Sequence, residues 1–224
     1  MDAKELIARR VALELRDRTL VNLGIGLPTL VARYVPHGIT VAFQTENGLI
    51  GFGAPPPEGM EDPNLTDAGG GFISALPGAA SFDSATSFAL IRGGHLDVTV
   101  LGGLEVDGSG LLANWMVPGK VVPGMGGAMD LVVGAKRVIV AMQHTAKGEP
   151  KIVPSLTLPP TATRRVSLIV TEMAVIEPTP EGLLLRERAP GVSVDAIVAN
   201  TGAKLVIIGD VPEMPIAIPE RDAA

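Results

Sequence analysis

The spacing of apolar residues changes from segment to segment along the chain, and each spacing predicts an element. Between Asp2 and Arg18, Leu6, Ile7, Val11 and Leu15 recur at helical intervals with charges between them, which predicts an amphipathic helix. Thr19 to Leu23 is a short apolar run, a strand, followed by "GIGLPT". Pro28 suits the first turn of a helix reaching about Tyr34, where its missing N–H costs nothing. Ile39 to Phe43 is apolar on both faces, the pattern of a strand buried in a parallel sheet, and it leads into Thr45-Glu46-Asn47-Gly48. Ala54 to Gly71, rich in Pro, Gly and acids, reads as a loop, and "GFISALPG" as a further strand. Asp83 to Arg92 is predicted helical, capped by Asp83 or Ser84 and stopped by Gly93-Gly94.

Strands are predicted in "HLDVTVLGG", over Arg137 to Met142, once or twice in "VSLIVTEMAVIEP", in "GLLLRER" pairing locally, and in "KLVII" after a short helix over Ser193 to Asn200. Strands alternating with helices predict an α/β fold: an open, mostly parallel sheet flanked by helices. No solenoid repeat interrupts it. The length of 224 residues predicts one domain over 1–224, with a Pro-rich tail over 209–224.

Composition narrows the chemistry. Aromatics are 3% of a chain that is 46% hydrophobic, so the core is built from aliphatic residues. The 27 glycines and 19 prolines predict many tight turns between short elements. A net charge of −6 argues against nucleic acid as a partner. The lack of cysteine excludes disulfides, thiolate metal sites and cysteine nucleophiles. "MDAKELIARR" does not read as a signal peptide, and no apolar stretch is long enough to span a bilayer, so the expected location is cytoplasmic, with no membrane partner.

Glu46 follows a buried strand, and in open α/β sheets ligands bind beyond the carboxyl ends of strands. From position alone it is also a plain solvent-facing turn residue, since Asn-Gly is a common turn pair. "PGKVVPGMGGAMDLVVGAK" holds a glycine run, Gly124 to Gly127, that is neither a P-loop nor GxGxxG, because Met129 stands at the third glycine position. Such a run exposes backbone N–H groups without side chains, suited to a phosphate nest or an oxyanion hole. Within the run, Gly127 exposes such an N–H or makes a tight turn needing positive φ. "NLGIGLPT", with Gly24 and Gly26, is a strand–glycine–helix junction that either binds an anion or packs tightly. His37, His95 and His144 lack metal-ligand spacing, and no GxSxG elbow is present.

Four segments carry a resemblance: "VNLGIGLP", "QTENGLIGFG", "LPGAASFDSATSFALIRGGHLDVTVLGGLEVDGSGLLANWMVPGK" and "GMGGAMDLVVGAKRVIVAMQHTAKG". Together they resemble the beta subunit of class I CoA transferases, in the 3-oxoacid branch, from Glu5 to about Ile208. The resemblance implies a CoA-transferase-type fold with Glu46 as nucleophile and Gly127, beside Gly126, as backbone oxyanion donor. Asn47, Gly48, Gly126, Gly24 and Gly26 are then expected to contact substrate or CoA. Thr45 stands where the family more often has Ser. Coenzyme A is implied as substrate, with no metal and no other cofactor. A CoA transferase alpha subunit is implied as partner in a heterodimer or heterotetramer, supplying a second oxyanion donor. The implied reaction moves CoA between an acyl-CoA such as succinyl-CoA and a 3-oxoacid such as acetoacetate or 3-oxoadipate. It runs by ping-pong through a glutamyl-CoA thioester. Two alternatives stay open: a non-catalytic or hydrolytic relative, and a sugar-phosphate isomerase of similar fold, for which Lys120 and Lys136 stand near the glycine loops.

Overall fold

A computed structural model of the chain describes residues 1–119 and 124–217, so the end of the expected Pro-rich tail lies outside the described residues. In chain order the elements are α1 (Ala3–Ala12), β1 (Thr19–Leu23), a 3₁₀ helix (Leu27–Tyr34), β2 (Val41–Thr45), β3 (Leu49–Phe52), β4 (Ala75–Ser81), α2 (Ser84–Arg92) and β5 (Val98–Leu101). There follow β6 (Glu105–Asp107), β7 (Leu112–Ala113), α3 (Ala128–Gly134), β8 (Arg137–Ala141), β9 (Thr145–Ala146), β10 (Glu149–Pro150) and β11 (Ile152–Val153). The last are β12 (Leu168–Val170), β13 (Ala174–Thr179), β14 (Gly182–Arg188), α4 (Val194–Ala199) and β15 (Leu205–Val206).

Ten strands form one sheet in the order β15-β14-β13-β12-β8-β5-β1-β2-β3-β4. Its centre, β12-β8-β5-β1-β2, is all parallel, which is the predicted arrangement. Antiparallel pairs flank that block, β3–β4 on one side and β13–β14 on the other. Strand alternation divides the central side chains between two cores. Val138 and Val140 of β8 join Ile91, Leu131 and Ile197 on the face covered by α2, α3 and α4. Ile139 and Ala141 join Ile7, Val11 and Val31 on the face covered by α1 and the 3₁₀ helix. No helix among the described residues is long and apolar enough to cross a membrane.

Some boundaries differ from the sequence expectation. The first helix begins at its Asp2 cap, which accepts the Glu5 N–H at 2.8 Å, but it ends at Ala12 instead of Arg18. The chain has to turn early because Asp17 accepts the Thr40 N–H at 2.7 Å and the Arg18 N–H donates to the Thr40 carbonyl at 2.7 Å. Those two bonds set the entry to β1, with Arg18 at φ +56°. The helix expected at Pro28 is present, with 3₁₀ geometry, over Leu27–Tyr34. The second strand runs two residues further than expected, to Thr45, because Gln44 and Thr45 pair with Ile50 and Leu49. "LIGF" is therefore strand β3 of a hairpin whose turn begins at Glu46.

α1 is tied to the sheet by charge as well as by packing. Arg10, almost fully buried, donates to both carboxylate oxygens of Glu187 on β14, at 2.7 and 2.9 Å, and to Glu14 at 2.7 Å. Glu14 also accepts from Arg137 on β8. A bidentate guanidinium satisfies the lone pairs that burial would otherwise leave unpaired.

Candidate active site

Because β1, β2 and β5 run parallel, their carboxyl ends open on one edge of the sheet. A cleft of about 510 Å³ lies there, lined by Gly24 and Ile25 after β1, Glu46 after β2, and Leu101 to Leu104 at the end of β5. Gly124 to Gly127, leading into α3, form another wall, and Trp115 and Asn114 a further one.

The turn that carries Glu46 is held by its neighbours. Thr45 is buried, and its hydroxyl accepts the Leu49 N–H at 3.3 Å. Asn47 is exposed and donates to the Thr66 carbonyl at 2.9 Å, fastening the turn to the loop that holds Thr66. Gly48 has φ +117°, and a Cβ there would run into the Phe82 carbonyl oxygen. Thr45, Asn47 and Gly48 thus shape the turn, and none of the three lines the cleft. Gly24 does line it, where β1 passes close to β5: its N–H donates to the Val100 carbonyl at 2.8 Å. Gly26, at φ +85°, begins the 3₁₀ helix outside the lining.

Gly127 and Glu46 meet directly. The Glu46 carboxylate lies against the Gly127 backbone, within the influence of its N–H. A Cβ at Gly127 would lie 3.0 Å from Glu46 Cδ, nearer still to Oε2, and 3.1 Å from Phe88 Cζ. Its backbone, φ −83° and ψ 3°, is open to any residue. Glycine is needed at 127 for room, not for a positive φ. Gly126 is the opposite case, with φ +55° and a Cβ position 3.5 Å from Glu46 Oε1, an ordinary contact.

Burial raises the Glu46 carboxyl above its usual range; the Gly127 hydrogen bond lowers it in part, and the charge of Asp130 in the first turn of α3 raises it further. The result is a carboxylate with fewer waters to shed than a surface glutamate has, already beside one backbone donor.

A polar ladder lies beside this site, and sequence reasoning missed it. Asn22 of β1 stands in register with Thr99 of β5 and Gln44 of β2. Thr99 Oγ1 donates to Asn22 Oδ1 at 3.0 Å, Asn22 Nδ2 donates to Gln44 Oε1 at 2.9 Å, and Gln44 Nε2 donates to Ser87 Oγ on α2 at 2.9 Å. All four side chains are buried, so the chain of bonds fixes β1, β2, β5 and α2 relative to one another two residues before Glu46. The available signal was a single amide in each of two apolar strands, "TLVNL" and "VAFQT".

The remaining candidates lie elsewhere. His144 is fully buried between the Thr171 and Thr201 hydroxyls, each at 2.9 Å, and burial lowers its pKa to about 4. Lys136 is paired with Asp97 at 2.7 Å, and Lys120 lies outside the described residues. Among the described residues no three His, Asp or Glu side chains group to hold a metal ion.

Residues 4–200 match the family described as Coenzyme A transferase. The chain belongs to the coenzyme A transferase family. It is 54% identical to the beta subunit of the acetate CoA-transferase of Haemophilus influenzae, over 97% of each chain. It is 50% identical to the B subunit of the succinyl-CoA:3-ketoacid coenzyme A transferase of Helicobacter pylori, over 91% of this chain and 99% of that one. Its fold resembles an acyl-CoA transferase from Escherichia coli O157:H7 solved as a thioester complex with CoA, at TM-score 0.76 and 24% identity. That match covers 96% of this chain but 43% of the other, so the chain spans less than half of that solved structure. The parallel sheet with its cleft at the strand ends is thus the fold of CoA transferases.

Proposed function

We propose that this chain is the beta subunit of a CoA transferase that exchanges CoA between an acyl-CoA and a 3-oxoacid through a thioester on Glu46. The observation that carries the proposal is the Glu46 carboxylate packed against the Gly127 backbone at the strand ends. The ionised Glu46 attacks the acyl-CoA thioester carbonyl, CoA leaves as thiolate, and a mixed anhydride remains. The thiolate then attacks the glutamyl carbonyl, the donor acid leaves as carboxylate, and Glu46 carries CoA. The acceptor carboxylate runs the same steps in reverse. None of these steps calls for a metal or redox cofactor; coenzyme A is a substrate.

The geometry divides the oxyanion work. Gly127 already touches Glu46's own oxygens, so its N–H serves the tetrahedral intermediates formed at the glutamyl carbonyl. One such donor is worth roughly 3–4 kcal/mol. The oxyanion at the substrate's carbonyl falls to a second donor, which we assign to a companion alpha subunit in a heterodimer or heterotetramer. The relatives are named as beta or B subunits, which supports a companion. So does the open cleft, with Ile25 in its wall 65% exposed.

A second reading concerns the acid. The relatives at 54% identity are named acetate CoA-transferases, and the walls of the cleft include Ile25, Leu104, Trp115 and Met125, which suits a short monocarboxylate. The test is CoA exchange by the assembled enzyme, with acetoacetyl-, succinyl- and acetyl-CoA as donors and the matching acids as acceptors. Transfer to acetoacetate with exchange-type kinetics supports the first reading, and preference for acetate the second. Exchange with none of them, or turnover of a sugar phosphate, overturns both.

A further inference from the structure

α2 and α3 converge on Glu46 through three contacts. At the far end, Gly134 closes α3 against Ile91, whose backbone carbonyl occupies the place of a Cβ. At the near end, Phe88 of α2 stands against Gly127. Between them Arg92, the last residue of α2, donates from Nε to Asp130 Oδ1 at 2.7 Å. Its guanidinium lies over the Phe88 ring, 5.4 Å from the centroid. Arg92 thereby touches the residue beside Gly127 and the acid in the first turn of the helix that Gly127 caps.

The acid is a liability for the proposed reaction. Glu46 has to be ionised to attack, and Asp130 is a like charge close enough to act on it. Other charges near the site have partners of their own: Lys151 donates to the Gly103 carbonyl at 2.7 Å. Asp67, next to Ala68 of the cleft wall, turns its carboxylate onto the Gly69 and Gly71 N–H groups of its own loop, both at 2.8 Å. Asp83 caps α2 through the Thr86 N–H at 2.7 Å. Among the described residues, Glu46 is the one charged side chain in the cleft lining. Arg92 is the cation that meets Asp130.

We propose that Arg92 is a positioning residue for CoA transfer, acting through Asp130: it masks that acid's charge from Glu46 and braces the start of α3 where Gly127 presents its N–H. The proposal rests on the reading of Glu46 as nucleophile. Its signs follow from charge. Without Arg92, the bare Asp130 opposes ionisation of Glu46, and the enzyme loses rate on the acid side of its pH profile. With Asp130 neutralised as well, the opposition disappears. Because Arg92 is 66% exposed and Asp130 18%, solvent and salt weaken the effect. A loss of roughly two- to fivefold on the acid side is the scale of such a pair.

The experiment uses the enzyme assembled with its companion subunit. Formation of the Glu46–CoA thioester from acetoacetyl-CoA alone is followed against pH in wild type, Arg92→Gln, Arg92→Lys and Arg92→Gln/Asp130→Asn. In parallel, the ¹³C-carboxyl signal of Glu46, assigned by its loss in Glu46→Gln, is titrated in the same proteins. The proposal expects the acid limb and the carboxyl titration to move to higher pH in Arg92→Gln. It expects both to stay near wild type in Arg92→Lys and to return to or below wild type in the double variant. A limb and titration unmoved in Arg92→Gln, or identical in the single and double variants, overturn it; a uniform loss of rate at all pH values would mark Arg92 as merely structural. If no thioester forms on Glu46 in wild type, the nucleophile reading fails, and the carboxyl titration still decides what Arg92 does.

Discussion

Gly127→Ala separates the chemistry at Glu46 from the stability of the fold. The backbone at 127, φ −83° and ψ 3°, accepts alanine without strain, and losing the extra freedom of glycine in the unfolded chain stabilises by about 0.4–1 kcal/mol. The methyl, however, falls 3.0 Å from Glu46 Cδ and 3.1 Å from Phe88 Cζ, where ordinary contact needs more than 3.4 Å. The carboxyl therefore has to move by roughly half an ångström to an ångström, off the Gly127 N–H. A misplacement of that size costs about 100-fold in rate, which is ~2.7 kcal/mol of transition-state stabilisation. The assay pairs thermal melting of the assembled enzyme with single-turnover formation of the enzyme–CoA thioester. The expected result is a melting temperature at or slightly above wild type with thioester formation about two orders of magnitude slower. Wild-type chemistry in Gly127→Ala, or a loss of chemistry matched by a loss of fold, refutes the reasoning. Gly126→Ala supplies the contrast: its φ of +55° costs alanine about 1–2 kcal/mol, while its Cβ clears Glu46 at 3.5 Å. That variant should melt earlier and keep most of its rate.

Glu46→Asp withdraws the nucleophilic oxygen by roughly an ångström and should lose about 100-fold in exchange rate, measured at saturating acyl-CoA. The beta chain purified without its companion should show no exchange above background and should bind a hydrophobic dye, which the assembled enzyme releases; steady turnover by the lone chain would contradict the divided site. His144, buried neutral with a pKa of about 4 against 6.5 when free, takes up a proton more readily unfolded. Its contribution is complete above pH 6.5 and is lost as pH falls toward 4, at up to about 1.4 kcal/mol per pH unit. Denaturant melts across that window should slope less steeply in His144→Gln than in wild type, and equal slopes would remove His144 from the acid response.

The central sheet was legible because Val138 to Ala141 is a continuous apolar run, the mark of a buried parallel strand. Spacing says nothing about hydrogen-bond pattern, so the helix at Leu27–Tyr34 was legible and its 3₁₀ geometry was not. The first helix was read too long because Leu15 keeps helical spacing and is buried, although the chain has left the helix by then. β3 was hidden because "LIGF" is short and Gly51 interrupts it. Glu46 was legible from its place and its motif. The reason for glycine at 127 was not, because it depends on a side chain 81 positions away. The same holds for the Thr99–Asn22–Gln44–Ser87 ladder and for Arg92 with Asp130, which pair across elements that only folding brings together. Asn47, Gly48 and Gly26 entered the expected site through the resemblance. In the structure Asn47 and Gly48 build the turn under Glu46, and Gly26 opens the 3₁₀ helix.

The account stands on Glu46 carrying the covalent intermediate, and that is open to one direct measurement. The assembled enzyme is incubated with acetoacetyl-CoA and no acceptor acid, reduced with borohydride, digested and mapped by mass spectrometry. The account predicts reduction of a single glutamyl side chain to the alcohol, in the peptide containing Glu46, and none in Glu46→Gln. Modification at any other residue, or an unmodified Glu46 peptide from enzyme that turns over normally, would contradict it.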